Sequence, residues 1–245
     1  MQLSPQRLLS DGAAVGMVLG IDTGGPSSSF GVVAEGRLVA VVNRSPVSHG
    51  LDLPAAVDEA LETAGASLND LGAIAVAIGP GSFTGLRVGV SYAKGIAAAA
   101  GIAIVGVSSL DALALCAGSQ LAEGALVYPV IDARRDEVYT GLYRFATGAL
   151  ERSSGDLVIS LTHLVGKFAE ETVLVGDSIA QQAYSVAQAQ GRRVTLIDNA
   201  SLNLRGSFVA AIGAAKVARK EADNIATLEP IYLRTPDTAS RASEF

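Results

Sequence analysis

The sequence predicts an α/β protein of two lobes in which one starting pattern is used twice. Two observations carry this. Met17–Asp22, MVLGID, and Leu126–Asp132, LVYPVID, are apolar runs that each end on an aspartate and lead through a turn into a second β-rich run. Each half then alternates residues at helical spacing with short strands that are apolar on both faces. The repeat is one of pattern rather than of letters.

Residues 1–14 have mixed polarity and no clear period, and are read as a flexible leader. Met17–Asp22 is the first strand. A small-residue loop, Thr23–Ser29, follows, then two strands, Phe30–Ala34 and Arg37–Asn43, separated by Glu35-Gly36, a hairpin signal. Leu51, Leu53, Val57, Ala60, Leu61 and Ala64 recur at helical spacing, with Asp58, Glu59 and Glu62 on other faces. Ala73–Ile78 is again a buried strand. An antiparallel start with a parallel continuation describes a ribonuclease-H-like sheet. A second helix begins near Ser82 or Thr84, either of which can cap it, and the uncharged stretch Gly95–Leu110 is its end running into another buried strand.

The second half gives strands at Leu126–Asp132 and Glu137–Phe145, a helix over Leu161–Ala169, a strand at Thr172–Val175 and a helix from about Ile179. A last helix, Ser207–Lys220, buries Phe208, Ile212 and Val217, and its Lys216, Arg219 and Lys220 suit the negative end of the helix dipole. Pro230 keeps Leu228–Arg234 extended. Residues 15–108, joined by 205–234, make the N-terminal lobe; 109–204 make a smaller C-terminal lobe; 235–245 are a flexible tail.

Composition excludes several classes. Of the residues, 49% are apolar, yet the Gly95–Leu110 stretch is shorter than the ~20 residues a spanning helix needs and carries glycines and serines. Asp11 interrupts any signal-peptide core. No membrane association and a cytoplasmic location are expected. The single cysteine, Cys116, excludes an internal disulfide, and its apolar neighbours make it a packed thiol rather than a nucleophile. The net charge of −6 shows no basic stripe of the kind that holds nucleic acid directly.

Ala77–Lys94, AIGPGSFTGLRVGVSYAK, carries the most information. Its glycines fail the phosphate-loop templates: no Lys-Ser/Thr pair follows, and Thr84 stands where a dinucleotide loop needs its third glycine. The hydrolase elbow fails too, with Pro80 at its first glycine. Instead Gly81, Gly85, Gly89, Ala93, Ala97 and Gly101 recur every four residues, a ridge of small residues that drifts ~40° per step on a helix. Interior glycines cost roughly 1 kcal/mol each, so another backbone must approach. Spacing alone leaves open whether that is this chain's own sheet or a second subunit.

GPGSFTGLRVGVSYAKGIA resembles the signature segment of the TsaB (YeaZ) family, and VLGIDT, HGLDLPAAVDEAL, IDARRDEVYTGLY and EPIYLR are similar to family segments at the expected places. Gly24-Gly25-Pro26 departs from the family's more usual Ser-Thr loop. The resemblance implies the two-lobed actin/hexokinase-like fold and a scaffold or activator role in forming threonylcarbamoyladenosine on tRNA. It implies pairing with a larger catalytic TsaD-like paralogue, a small TsaE-like ATPase as a further partner, a homodimer as an alternative pairing, and tRNA contact only through the complex. It also implies that the helices at Leu51–Ala64 and Ser82–Ala100 form the contact, with Leu53, Val57, Leu61, Gly85, Arg87, Gly89 and Ala93 as interface residues. No catalytic and no metal-binding residue is expected: the paralogue's His-x-x-x-His pair is missing, with only His49 and His163 present. The chain is expected to require no cofactor. Weak contact with ATP or ADP at the lobe cleft or subunit boundary would involve Asp22, Thr23, Gly79, Gly81, Ser82 and Thr84. The alternative is an independent enzyme on the same fold, a glycoprotease-like peptidase or a small-molecule kinase.

Overall fold

The computed structural model describes residues 2–44, 52–118, 121–169, 172–197 and 202–234. The chain opens with strand β1 (Gln2–Leu3) and helix α1 (Pro5–Gly12), so residues 2–14 are not a loose leader. β1 pairs antiparallel with β10 (Ala149–Arg152), and Leu3 and Leu8 are fully buried. Two buried leucines on so short a helix are too few to register as a period.

The first lobe is a five-stranded sheet in the order β4-β3-β2-β5-β6, formed by β2 (Met17–Asp22), β3 (Ser28–Ala34), β4 (Arg37–Arg44), β5 (Leu71–Gly79) and β6 (Ala103–Ser108). β2, β3 and β4 run antiparallel, while β2, β5 and β6 run parallel. Alternation along the strands sorts the core into two layers. Leu19, Ile21, Phe30, Ile74 and Val76 face helices α2 (Leu53–Thr63) and α3 (Phe83–Ala100). Val18, Val33, Ala73 and Ala75 face the opposite way, toward Val209 and Ile212.

Those last two belong to helix α7 (Arg205–Ala218), which returns from the end of the chain to cover the first sheet. It comes so close that a Cβ on Gly20 or Gly31 would collide with its backbone. Glycine in both strands is the geometric condition for this crossing.

The second lobe has its sheet in the order β1-β10-β9-β7-β12-β13, with β8 pairing β7 and β11. Its strands are β7 (Leu126–Arg134), β8 (Glu137–Thr140), β9 (Tyr143–Ala146), β10, β11 (Leu157–Ser160), β12 (Thr172–Gly176) and β13 (Val194–Leu196). The expected single strand Glu137–Phe145 is two strands, because Gly141-Leu142 leaves the ladder and the Leu142 N–H donates to Ser154 Oγ at 2.9 Å. Helices α5 (Leu161–Gly166) and α6 (Ser178–Ala189) cover one face around Leu164, Leu174 and Ala183.

Helix α4 (Ser109–Leu115) joins the lobes. Its Asp111 accepts a hydrogen bond from the buried Tyr143 hydroxyl at 2.7 Å and pairs with Arg152 at 3.3 Å. Burial, and then the Asp111 charge, push the Tyr143 phenol well above its ordinary range.

Residues 221–234 form a strap along the first lobe. Asp223 N–H donates to the Ile104 carbonyl, the Gly106 N–H donates to Asp223 Oδ2 at 2.8 Å, Leu228 is buried, and the Ile231 N–H donates to the Ile78 carbonyl at 2.7 Å. The strap ends across the lobes, where Arg234 pairs with Glu137 and donates to the Ala133 carbonyl at 3.0 Å. Among the described residues no helix is long and apolar enough to cross a membrane.

Candidate functional site

The loop after β2 packs against the start of α3, and an arginine from α7 fills it. Arg205 Nε donates to Asp22 Oδ2 at 3.1 Å, and its Nη2 donates to the Ser27 carbonyl at 2.7 Å and to Ser27 Oγ at 3.2 Å. The other carboxylate oxygen, Asp22 Oδ1, accepts from the Gly24 N–H at 2.9 Å. Asp22 is 2% exposed and Arg205 6%. Both oxygens of Asp22 are therefore engaged, and a buried charge pair with hydrogen bonds on each side replaces solvent. Gly25 belongs to the same cradle: a Cβ there would lie 2.7 Å from Arg205 Nη2. Of the two glycines, Gly25 leaves room for the guanidinium, while a Cβ on Gly24 would press on Leu86.

The next residue, Thr23, seats α3. Its hydroxyl donates to the Gly85 carbonyl at 2.7 Å, and the Ser82 N–H donates to the Gly24 carbonyl at 2.8 Å. Ser82 Oγ caps the helix by accepting from the Gly85 N–H. The small-residue ridge lies in this contact. A Cβ on Gly81 would meet the Gly24 carbonyl oxygen at 2.6 Å, one on Gly85 would collide with the Thr23 carbonyl oxygen, and one on Gly89 with Thr23 Oγ1.

Six of the seven expected interface residues are buried within the chain. Gly85, Gly89 and Ala93 are buried against the chain's own loop and sheet, and Leu53, Val57 and Leu61 are buried beneath α2. Periodicity finds the apolar stripe of a helix, and in this fold the sheet takes that stripe. Of the seven residues, only Arg87 is exposed. The outward faces are instead Ala55, Asp58 and Glu62 on α2, and Thr84, Arg87, Ser91 and Gly95 on α3. A groove of about 470 Å³ lies along the latter, lined by Leu68, Tyr92, Gly95, Ile96 and Ala99 among others.

The candidate nucleotide residues divide the same way. Asp22 and Thr23 are buried with their polar atoms engaged, Gly79 is buried and Gly81 packs on Gly24, while Ser82 and Thr84 are exposed. The Asp22 carboxylate and the Thr23 hydroxyl are thus already partnered within the chain. Among the described residues no group of three or more His, Cys, Asp or Glu is placed to hold a metal ion. His49 lies outside the described residues; His163 stands in the first turn of α5, where its N–H donates to Ser160 Oγ. Arg134 is a largely exposed hairpin-tip residue paired with Asp132 at 3.2 Å.

Cys116 is buried near the Asp22–Arg205 pair, and burial pushes its thiol up to about 12. At pH 8 only about one thiol in ten thousand is then ionised. Native protein is expected to resist a chromogenic disulfide reagent for many minutes and to react fully once unfolded in urea. Immediate reaction of the native protein would contradict the burial.

Arg205 escaped the sequence reading. The available signal was an arginine opening an otherwise apolar helix, at the end where the helix dipole disfavours a cation and where a specific carboxylate must therefore be its partner.

The family model described as TsaD: tRNA N6-adenosine threonylcarbamoyltransferase matches residues 45–238. The Bacillus subtilis tRNA threonylcarbamoyladenosine biosynthesis protein TsaB is 31% identical over 91% of this chain and 96% of its own. The chain belongs to the TsaB (YeaZ) family. The solved structure of YeaZ from Pseudomonas aeruginosa agrees at 26% identity, covering 89% of this chain and all of that one with a TM-score of 0.73. A more distant neighbour, the activator of 2-hydroxyisocaproyl-CoA dehydratase from Clostridium difficile, shares the fold alone, at 12% identity and a TM-score of 0.51. The two sheets form the two-lobed actin/hexokinase-like architecture that the family resemblance implies.

Proposed function

We propose that this chain is the non-catalytic scaffold and activator subunit of the complex that forms threonylcarbamoyladenosine on tRNA, paired with a catalytic TsaD-like paralogue. The observation that carries this is the 31% identity to TsaB along nearly the whole chain. The cleft supports it, since the aspartate at the end of β2 is spent on Arg205 rather than held open for a metal-bound water. A TsaE-like ATPase is a further partner, tRNA is reached through the complex, and the exposed Ser82 and Thr84 are what remains of a nucleotide contact at the subunit boundary. Pairing with a second copy is the competing use of the same face.

The partner seat is the outer face of α3. Gly95 sits mid-helix and exposed, and a Cβ built on it meets nothing within 4 Å. A glycine there costs roughly 1 kcal/mol with no return inside this chain, which is the expected mark of a second backbone approaching.

Gly95→Leu separates pairing from folding. It is expected to raise stability by roughly 0.8 kcal/mol through helix propensity while weakening the heterodimer more than tenfold. Mass in solution after mixing with the TsaD-like paralogue of the same organism checks both halves. Undiminished pairing in the variant would move the contact off this face, and failure of the unaltered chain to pair would sink the scaffold reading.

A further inference from the structure

Three of the exposed large apolar side chains, Phe83, Ile231 and Tyr232, lie together at the N-terminal end of α3, and Arg87 sits among them. The Phe83 and Tyr232 rings are 4.8 Å apart. The Arg87 guanidinium lies 4.1 Å over the Phe83 ring and 5.8 Å from that of Tyr232. Its Nε donates to the Tyr232 hydroxyl at 2.9 Å. That is its one hydrogen bond among the described residues, and it leaves the terminal N–H groups without an acceptor among them. A guanidinium already stacked and oriented loses little freedom on receiving a planar anion.

The strap makes this arrangement rigid. Tyr232 is held on one side by the bond from the Ile231 N–H to the Ile78 carbonyl and on the other by Arg234 on Ala133 and Glu137. Lys94 Nζ fixes the strap upstream by donating to the carbonyls of Ala226 and Leu228 at 3.3 and 3.2 Å.

The anion has a recognisable source. A nucleic-acid track needs a run of free cations, but here Lys94 is spent on carbonyls and Arg234 on Glu137, and the chain carries a net charge of −6. One forked cation ringed by aromatic and aliphatic side chains is instead the chemistry of a protein hot spot. Arg87 also stands one and two helical steps of four before Ser91 and Gly95, on the same outer face.

We propose that Phe83, Arg87 and Tyr232 form a preorganised receptor for an aspartate or glutamate side chain of the partner protein, extending the α3 contact onto the C-terminal strap. This rests on the scaffold reading, that a partner occupies the α3 face.

Titration calorimetry against the TsaD-like paralogue, with unaltered chain, Arg87→Lys and Tyr232→Phe, tests it. Arg87→Lys keeps the charge but loses the stacked fork, and is expected to weaken binding about tenfold; Tyr232→Phe frees the guanidinium and is expected to weaken it roughly threefold. Both sites are exposed, so the thermal midpoints stay within a degree or two. Arg87→Lys binding within twofold of the unaltered chain overturns the receptor while leaving the scaffold reading in place. If that variant keeps its protein affinity and the assembled complex instead loses tRNA, the fork reads phosphate and the proposal is likewise overturned. If the unaltered chain does not bind, the scaffold reading falls and takes the receptor with it.

Discussion

Replacing Arg205 with alanine is expected to cost about 3–5 kcal/mol of stability, because it strands the Asp22 carboxylate, buried, without its counter-charge. In a chain of this size that lowers the thermal midpoint by roughly 10 °C, at about 2–4 °C per kcal/mol. The loss is not confined to the pair. Arg205 also holds the Ser27 carbonyl and hydroxyl, so the loop from Thr23 to Ser28 loses its centre, and with it the surface on which α3 is seated. Urea denaturation measures the first effect, and hydrogen exchange at the N-terminal turns of α3 measures the second. A double variant, Asp22→Asn with Arg205→Met, removes both charges, keeps an acceptor for the Gly24 N–H, and is expected to recover at least half of the loss. Recovery would identify the stranded charge as the main cost; no recovery would assign it to packing around the guanidinium. Arg205→Ala within 1 kcal/mol of the unaltered chain would show that the cleft does not depend on this pair.

The strand-Asp repeat was legible because buried strands bounded by turns leave a local signal. Met17–Asp22 and Leu126–Asp132 were found for that reason, and β7 runs only two residues further, to Arg134. The hairpin at Glu35-Gly36 was legible through turn chemistry, with both residues at positive φ. Partnership between distant segments was not. Asp22 and Arg205 are 183 positions apart, and Arg87 and Tyr232 are 145 apart; neither pair shares a helix face or a turn that would announce it. The α1 segment was missed because it is held by tertiary packing on α7 rather than by its own pattern. The expected interface residues show what periodicity can and cannot tell. Leu53, Val57 and Leu61 were correctly recognised as one face of a helix, but an apolar face says only that something covers it. The fold supplies the cover from strands β3 and β4, and the outer face of α3 carries Ser91 and Gly95, which have no hydrophobic signature at all.

The ridge on α3 gives the sharpest test of which backbone those glycines serve. Gly85→Leu and Gly89→Leu are each expected to cost about 3 kcal/mol or more, since overpacking a rigid contact forces backbone shifts. This is the opposite of Gly95→Leu on the same helix, which is expected to stabilise. The two buried glycines also differ from each other. The obstacle at Gly89 is a side-chain hydroxyl, with the Thr23 Cβ 3.3 Å behind it, whereas at Gly85 it is the Thr23 backbone carbonyl. Thr23→Ala should therefore rescue much of the loss in Gly89→Ala, less the roughly 1 kcal/mol of its own lost hydrogen bond to the Gly85 carbonyl. It should rescue none of the loss in Gly85→Ala. Chemical denaturation of the five single variants and two doubles, with the slope checked for constancy, reads out the pattern. A Gly89→Leu protein that folds with the unaltered midpoint and only fails to pair would return the ridge to the partner and remove Thr23 as the seat of α3.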